Sequence, residues 1–335
     1  VEAAFTVGWV VWFASIVAAA LYAIGFAYFG LVVAGEIWQG FQGEAPSWLE
    51  STLTLKGVAV ATIALLTIAL TQQSESSGKW VNLGKVVVFG TLILGGLWAV
   101  GNQSLQVTSE ALRPFFSAGT LGLFQAMGYT FIAMQGFDLI AAVGGEVRDP
   151  SKNVPRAMVL SLAIALVIYI PLLFIIATVG THSGESIGEL AAKDPEGIIA
   201  VAAQQYLGPF GYWLVLVAAV LSMFSALQAN IFAASRIART MARDRTLPTP
   251  LSALAGPRRT PVLAILVTSF LAAMILIALP DVAAAGAAAS LIFLITFALA
   301  HWVGILVRQR SVRNPPPFRV PLYPAVPIIG GLACL

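Results

Sequence analysis

The sequence predicts an all-α polytopic membrane protein, and three observations carry that prediction. Hydrophobic residues make up 59% of the 335-residue chain and charged residues only 10%, with a mean hydropathy of +0.90. Soluble domains carry about 25% charged residues, and surface-to-volume scaling limits how much apolar surface a water-soluble fold can bury. Several apolar runs reach the ~20 residues that cross a bilayer core. Finally, Lys and Arg collect in every second linker. The runs are long and apolar on all sides, whereas barrel strands alternate in segments of about ten residues. Helices therefore win.

Eight complete spans are expected, at 7–33, 53–71, 80–101, 118–143, 155–180, 211–235, 261–280 and 283–307. A ninth begins near Pro321. The first carries a stripe of small residues, Gly8, Ser15, Ala19 and Ala23, that suits close helix packing. In the second, Lys56 sits near the outer end and can snorkel to the interface. The third holds Lys85, about a turn and a half from its cytoplasmic start. A lysine there either snorkels or, once desolvated, gives up its proton, which suits proton coupling. The fifth follows a charged linker, Glu146 to Arg156, whose Pro155 suits a helix start. The sixth carries Ser222, Ser225, Ala229 and Ala233, a packing stripe whose hydroxyls are alternatively ligands for a cation or substrate. It leads into Ser235–Pro248, which reads as a basic amphipathic helix ended by proline, with anionic headgroups as its partner. His301, in the eighth, suits an interhelical hydrogen bond or a proton-carrying role.

The linkers fall into two kinds. Lys79; Arg148, Lys152 and Arg156; Arg236 to Arg259; and Arg308, Arg310, Arg313 and Arg319 form a basic set. Glu36, Glu44 and Glu50; Glu110 with Arg113; Glu185, Glu189, Lys193, Asp194 and Glu196; and Asp281 form the other. The two kinds alternate, as the positive-inside rule requires of a serpentine chain. Loops 144–156, 236–260 and 308–320 are thus expected on the cytoplasmic side of a cell membrane. The single cysteine, Cys334, excludes an intrachain disulfide and a Cys-rich metal centre. Val1-Glu2 lacks the basic start of a signal peptide, and the chain stops inside an apolar run. Both ends read as truncations.

The fourth span departs from plain lipid-spanning helix. Gln135, Gly136 and Asp138 lie together near its middle. A carboxylate at the bilayer centre costs at least ~2.5–3.5 kcal/mol on insertion scales, so such residues face a protein interior or a watery cavity. Gly136 lets the backbone leave the helix. Together they predict a discontinuous helix whose freed carbonyls and amides bind a zwitterion. The bland alternative is an Asp138 that merely pairs with a neighbour or sits nearer the cytoplasmic face. An intramembrane enzyme would need a nucleophile–base set, paired carboxylates or an HExxH-type metal motif, and none occurs. A channel would show rings of charge or a carbonyl filter, and neither is evident. A channel or a sensor scaffold without transport is the runner-up reading.

Gly136-Phe137-Asp138, followed by Gly145-Glu146-Val147-Arg148-Asp149-Pro150-Ser151-Lys152-Asn153-Val154-Pro155-Arg156, resembles the sixth-helix signature of the amino acid–polyamine–organocation permeases. Ser235-Arg236, Met241 to Pro248 and Thr260-Pro261 resemble that family's eighth-to-ninth helix connection, and Phe318 to Pro324 the lead into its eleventh helix. The resemblance covers essentially the whole chain, with the motifs in the family's order. It implies a leucine-transporter-like fold of two inverted five-helix repeats in one membrane domain. Residues 1–117 would hold helices three to five of the first repeat and 118–307 the second repeat. Residues 308–335 would be a linker and the start of helix eleven, with helices one and two absent. It further implies a secondary transporter of amino acids or related amines working by alternating access.

By that resemblance the carbonyls of Ile132 and Gln135 would accept hydrogen bonds from the substrate ammonium. Ala133, Met134 and Phe137, beside Gly136, would shape the pocket or gate. Asp138 would couple gating to protonation or orient a neighbouring helix. Many members carry a lysine in helix five that replaces a sodium ion. Counting from Asn82 puts that position at Val88, with Lys85 one turn earlier, so either the register is shifted or the device is missing. Ser222 and Ser225 fall where sodium-coupled members place hydroxyl ligands. No cofactor is expected beyond a coupling ion, H+ or Na+. The partners are the amino acid or amine and the lipid bilayer, with no nucleic acid. The amino acid carried and the oligomeric state are left open.

Overall fold

The computed structural model describes residues 2–72, 78–113, 115–116, 119–181, 187–193, 195–256, 259–310 and 320–335. His182, Glu185, Asp194, Arg258, Arg313, Phe318 and Arg319 lie outside the described residues. Twelve helices are described: α1 Glu2–Gln42, α2 Thr52–Gln72, α3 Gly78–Gly101, α4 Leu105–Ala111, α5 Gly119–Thr130, α6 Leu139–Ala142, α7 Pro150–Val179, α8 Ile187–Lys193, α9 Ile198–Arg243, α10 Val262–Ala278, α11 Val282–Arg310 and α12 Ala325–Ala333. No β-strand occurs among the described residues. Six helices (α1, α2, α3, α7, α9 and α11) contain stretches long and apolar enough to cross a membrane, and α10 is a shorter apolar helix.

α1 is the spine. At 41 residues it is about 60 Å long, twice the ~30 Å hydrocarbon core. It lies antiparallel to α9. Gly8 faces Met241, Gly25 faces Met223, and the Tyr212 hydroxyl donates to Glu36 Oε1 at 2.9 Å. Ala14, Ala18, Ala19, Ala20, Ala23 and Ala27 are all fully buried. Without a hydrophobic force between helices in lipid, small residues gain their stability by letting backbones approach. Trp12 crosses to α10, donating from Nε1 to Thr268 Oγ1 at 3.2 Å. One buried apolar cluster joins α1, α2, α9 and α10, with Ile16, Ile63, Ile231 and Ile265 at its centre. A second, around Leu92, Ile176 and Leu216, joins α3, α7 and α9. There the backbones meet at Gly95 and Gly96. A Cβ on Gly95 would sit 2.6 Å from Leu207, and one on Gly96 2.2 Å from Ile175.

The run at 118–143 is interrupted, the discontinuous helix that Gln135, Gly136 and Asp138 predict. Other expectations need correction. The run at 211–235 is the middle of α9, which spans 198–243 and kinks at Gly208 (φ +64°) before Pro209. Apolar content marks the lipid-crossing part, and helix continues past it wherever no residue breaks it. The basic stretch after Ser235 is the end of α9, with Ser235, Ala238, Met241 and Ala242 buried and Arg243 exposed. α7 starts at Pro150, not Pro155. Asp149 (φ +49°) precedes it, and the Asp149 carbonyl accepts the amides of Lys152 and Asn153. Lys56 donates from Nζ to the Ile277 carbonyl at 2.9 Å, occupying one of the unpaired carbonyls at the end of α10. The His301 ring lies against Gly330 of α12. Ser104 caps α4, accepting the Val107 amide at 3.4 Å.

Candidate functional site at an interrupted helix

α5 stops at Thr130. Phe131–Met134 then tighten into a 3-10 turn, Gln135 is extended (φ −69°, ψ 149°), Gly136 has φ +127°, and helix resumes as α6 at Leu139. Residues with a Cβ rarely adopt the Gly136 conformation, so glycine is needed there. The freed backbone groups all need partners, because unpaired ones cost several kcal/mol in a lipid environment.

The partners come from four directions. Asp138 Oδ1 accepts the Gly136 amide at 3.0 Å and Gln135 Nε2 at 3.4 Å. From α1, the Tyr22 hydroxyl donates to Gln135 Oε1 at 3.0 Å. From α7, the Tyr169 hydroxyl donates to the Ala133 carbonyl at 2.8 Å. From α11, Ser290 Oγ accepts the Ile132 amide at 3.1 Å and donates to the Tyr129 carbonyl at 2.9 Å. The Ile132 carbonyl, expected to be free, accepts the Gln135 amide at 3.1 Å. That bond is the closure of the 3-10 turn, and it leaves Ile132 one lone pair.

Side chains of the break divide by face. Phe137 stacks on Phe297 of α11 at 5.4 Å between centroids. Phe131 meets the same ring edge-on at 5.6 Å. Ile132 joins these rings in a cluster around Ala14, Ala18 and Phe293. Ala133 is exposed, and Met134, Gln135 and Asp138 are half-buried. α5 and α6 contain no buried residue.

A second polar group lies between α3 and α9. Lys85 donates from Nζ to Ser225 Oγ, and Ser225 donates to the Ser222 carbonyl at 3.3 Å. Lys85, Ser222 and Ser225 are thus together, while Asp138 belongs to the network of the break. Val88 packs in the apolar cluster of α3, α7 and α9, so the register counted from Asn82 puts an apolar contact where a cation was sought. Among the described residues no group of three His, Cys, Asp or Glu side chains could hold a metal ion.

Tyr22, Tyr169, Ser290 and Phe297 were not among the residues singled out from sequence. A tyrosine in an apolar span has one usable signal, a hydroxyl that needs a partner. Ser290 follows Ala-Gly-Ala-Ala-Ala, where a serine looks like one more small packing residue.

Comparison with known proteins gives the same class of molecule. The family model described as amino acid permease matches residues 2–335. The chain is 29% identical over 276 residues to the serine/threonine exchanger SteT of Bacillus subtilis, a match covering 81% of this chain and 60% of that protein. It is 30% identical over 193 residues to the inner membrane transport protein YbaT of Escherichia coli, covering 57% of this chain and 42% of YbaT. The branched-chain amino acid permease BcaP of Bacillus subtilis is 24% identical over 297 residues, covering 87% of this chain and 60% of BcaP. The chain therefore spans about two fifths to three fifths of the length of these relatives. With the helical fold and a family model matched from residue 2 to residue 335, the chain belongs to the amino acid permease family, and its fold is the leucine-transporter-like one.

Proposed function

We propose that the protein is a secondary transporter of amino acids, binding its substrate at the break between α5 and α6 and working by alternating access. The observation that carries this is the backbone at 130–138, which leaves helical geometry inside an apolar bundle. Broken helices of this kind present carbonyls and amide dipoles to charged groups of a small substrate. The substrate ammonium would meet the carbonyl of Gln135 and the remaining lone pair of Ile132. Ala133 and Met134 would line its side chain, and Phe137, held by Phe297, would close one wall. Asp138 supplies the carboxylate nearest the break. The relatives named for serine/threonine and branched-chain substrates favour a neutral amino acid.

The packing supports a division into moving and fixed parts. α1, α2, α9 and α10 share one continuous buried core, whereas α5 and α6 contain no fully buried residue. We assign α5 and α6 to the part that rocks and α1, α2, α9 and α10 to the scaffold; α7, which packs on α3 and α9, is placed with α5 and α6 on the family resemblance. The inverted repeat, 1–117 against 118–307, is supported by the contact pattern. α1 meets α2 as α9 meets α10, α1 meets α11 as α9 meets α3, and α1·α9 and α2·α10 map onto themselves. That is the closure expected of a pseudo-two-fold axis in the membrane plane. Loops 144–156, 236–260 and 308–320 are assigned to the cytoplasm on their charge.

Lys85 takes the cationic role between α3 and α9, with the Ser225 hydroxyl as its partner and the Ser222 carbonyl accepting in turn from Ser225. Proton coupling is the corresponding mechanism. Uptake of radiolabelled amino acids into proteoliposomes bearing the full-length protein tests the whole reading. Saturable, stereoselective uptake is expected, and failure of a broad amino-acid panel to bind would sink it.

A further inference from the structure

We propose that Ser290 of α11 is a positioning residue that holds the α5–α6 segment open for substrate. This rests on the substrate reading above and concerns a residue that touches no substrate group in it.

In a continuous α-helix the Ile132 amide would bond to the Gly128 carbonyl, and the Tyr129 carbonyl to the Ala133 amide. In a 3-10 turn the Ile132 amide would instead point at the Tyr129 carbonyl. Both groups lie where the α-helix gives way to the 3-10 turn of Phe131–Met134. The Ser290 hydroxyl stands between the two groups, accepting from the Ile132 amide at 3.1 Å and donating to the Tyr129 carbonyl at 2.9 Å. A hydroxyl is one donor with two acceptor lone pairs, so one side chain serves both groups at the point where the α-helix ends. Ser290 is 2% exposed, which leaves no water to substitute for it. One turn further along α11, Phe293 is fully buried and packs with Ile132, so the hydroxyl has a fixed platform. Tyr169 completes the arrangement from the other side at the Ala133 carbonyl. Together the two hydroxyls fix residues 129–133, and so set where the groups following them in the break are presented.

The test uses purified full-length protein with Ser290→Ala, and Tyr169→Phe as a second variant. Two readouts are taken: equilibrium binding of radiolabelled serine, and hydrogen exchange by mass spectrometry over residues 128–138. Ser290→Ala, which removes both hydrogen bonds that position residues 129–133, should weaken serine binding about tenfold. Exchange over 128–138 should be faster with or without serine, and exchange elsewhere unchanged. Tyr169→Phe should weaken binding by a smaller factor. Binding within twofold of wild type together with unchanged exchange in Ser290→Ala would overturn the proposal. If the wild-type protein binds no amino acid, the transport reading falls, while the exchange measurement still decides the role of Ser290. Should Ser290→Ala fail to fold, Ser290→Cys keeps the volume and carries the same expectation; failure of both would make Ser290 a residue of general stability and overturn it.

Discussion

Asp138 Oδ1 is the meeting point of two donors, the Gly136 amide and Gln135 Nε2, and Gln135 passes the connection on to Tyr22. Asp138→Asn keeps the shape and an acceptor oxygen but removes the charge. We predict that it slows uptake about tenfold or flattens its pH dependence, in proteoliposome assays run across pH. Unchanged kinetics at every pH would leave Asp138 a purely structural residue. Lys85→Met removes the bond to Ser225 while keeping an apolar stem of similar length. Its uptake should lose the response to a proton gradient, and a response like that of wild type would reject the coupling role. Gln135, Gly136 and Asp138 could be read from the sequence because polar residues and glycine stand out in an apolar span. Tyr22, Tyr169 and Ser290 could not. Each is an ordinary residue in a membrane helix, and its importance lies in a partner more than thirty positions away.

Helices were legible where composition alone defines them, and less so where geometry intervenes. The apolar runs located the lipid-crossing stretches, but α1 and α9 run well past them, and the Gly208 kink is set by one dihedral. Close helix approach was likewise hidden, since a glycine in a span reads the same whether or not a neighbour touches it. Gly96 and Gly84 both lie in α3, yet a Cβ on Gly96 would fall 2.2 Å from buried Ile175, while nothing lies within 4 Å of one on Gly84. Gly96→Ala should therefore destabilise the protein by about 1–3 kcal/mol through overpacking. Gly84→Ala should be neutral or slightly stabilising, since alanine is the better helix former by ~1 kcal/mol. Thermal melts of the two variants in one detergent would check the pair, and equal melting temperatures would contradict the close approach at Gly96.

At the scale of the molecule, alternating linker charge is the basis on which we assign an orientation, and the contacts of α1 with α9 fix only which helix ends share a side. The antiparallel pairing puts the start of α1 beside the basic end of α9, and Glu36 beside Tyr212 at the other end. In a background with the native cysteines replaced, Cys334 included, Glu44→Cys should react with a membrane-impermeant thiol reagent on intact cells. Arg243→Cys should react only after permeabilisation. The reverse pattern would invert the assignment. Which helices touch was not readable from residues alone, because lipid-facing and protein-facing apolar surfaces have the same composition. The bond between Ile132 and Ser290 spans 158 positions, and that separation has a consequence in time. At a synthesis rate of about 5–20 residues per second, α11 leaves the ribosome roughly 8–30 seconds after the segment it braces. Until then the Ile132 amide and Tyr129 carbonyl have only their own chain to bond with, which favours an unbroken turn. The opening in the helix is thus acquired late, when one of the last helices of this chain arrives to hold it apart.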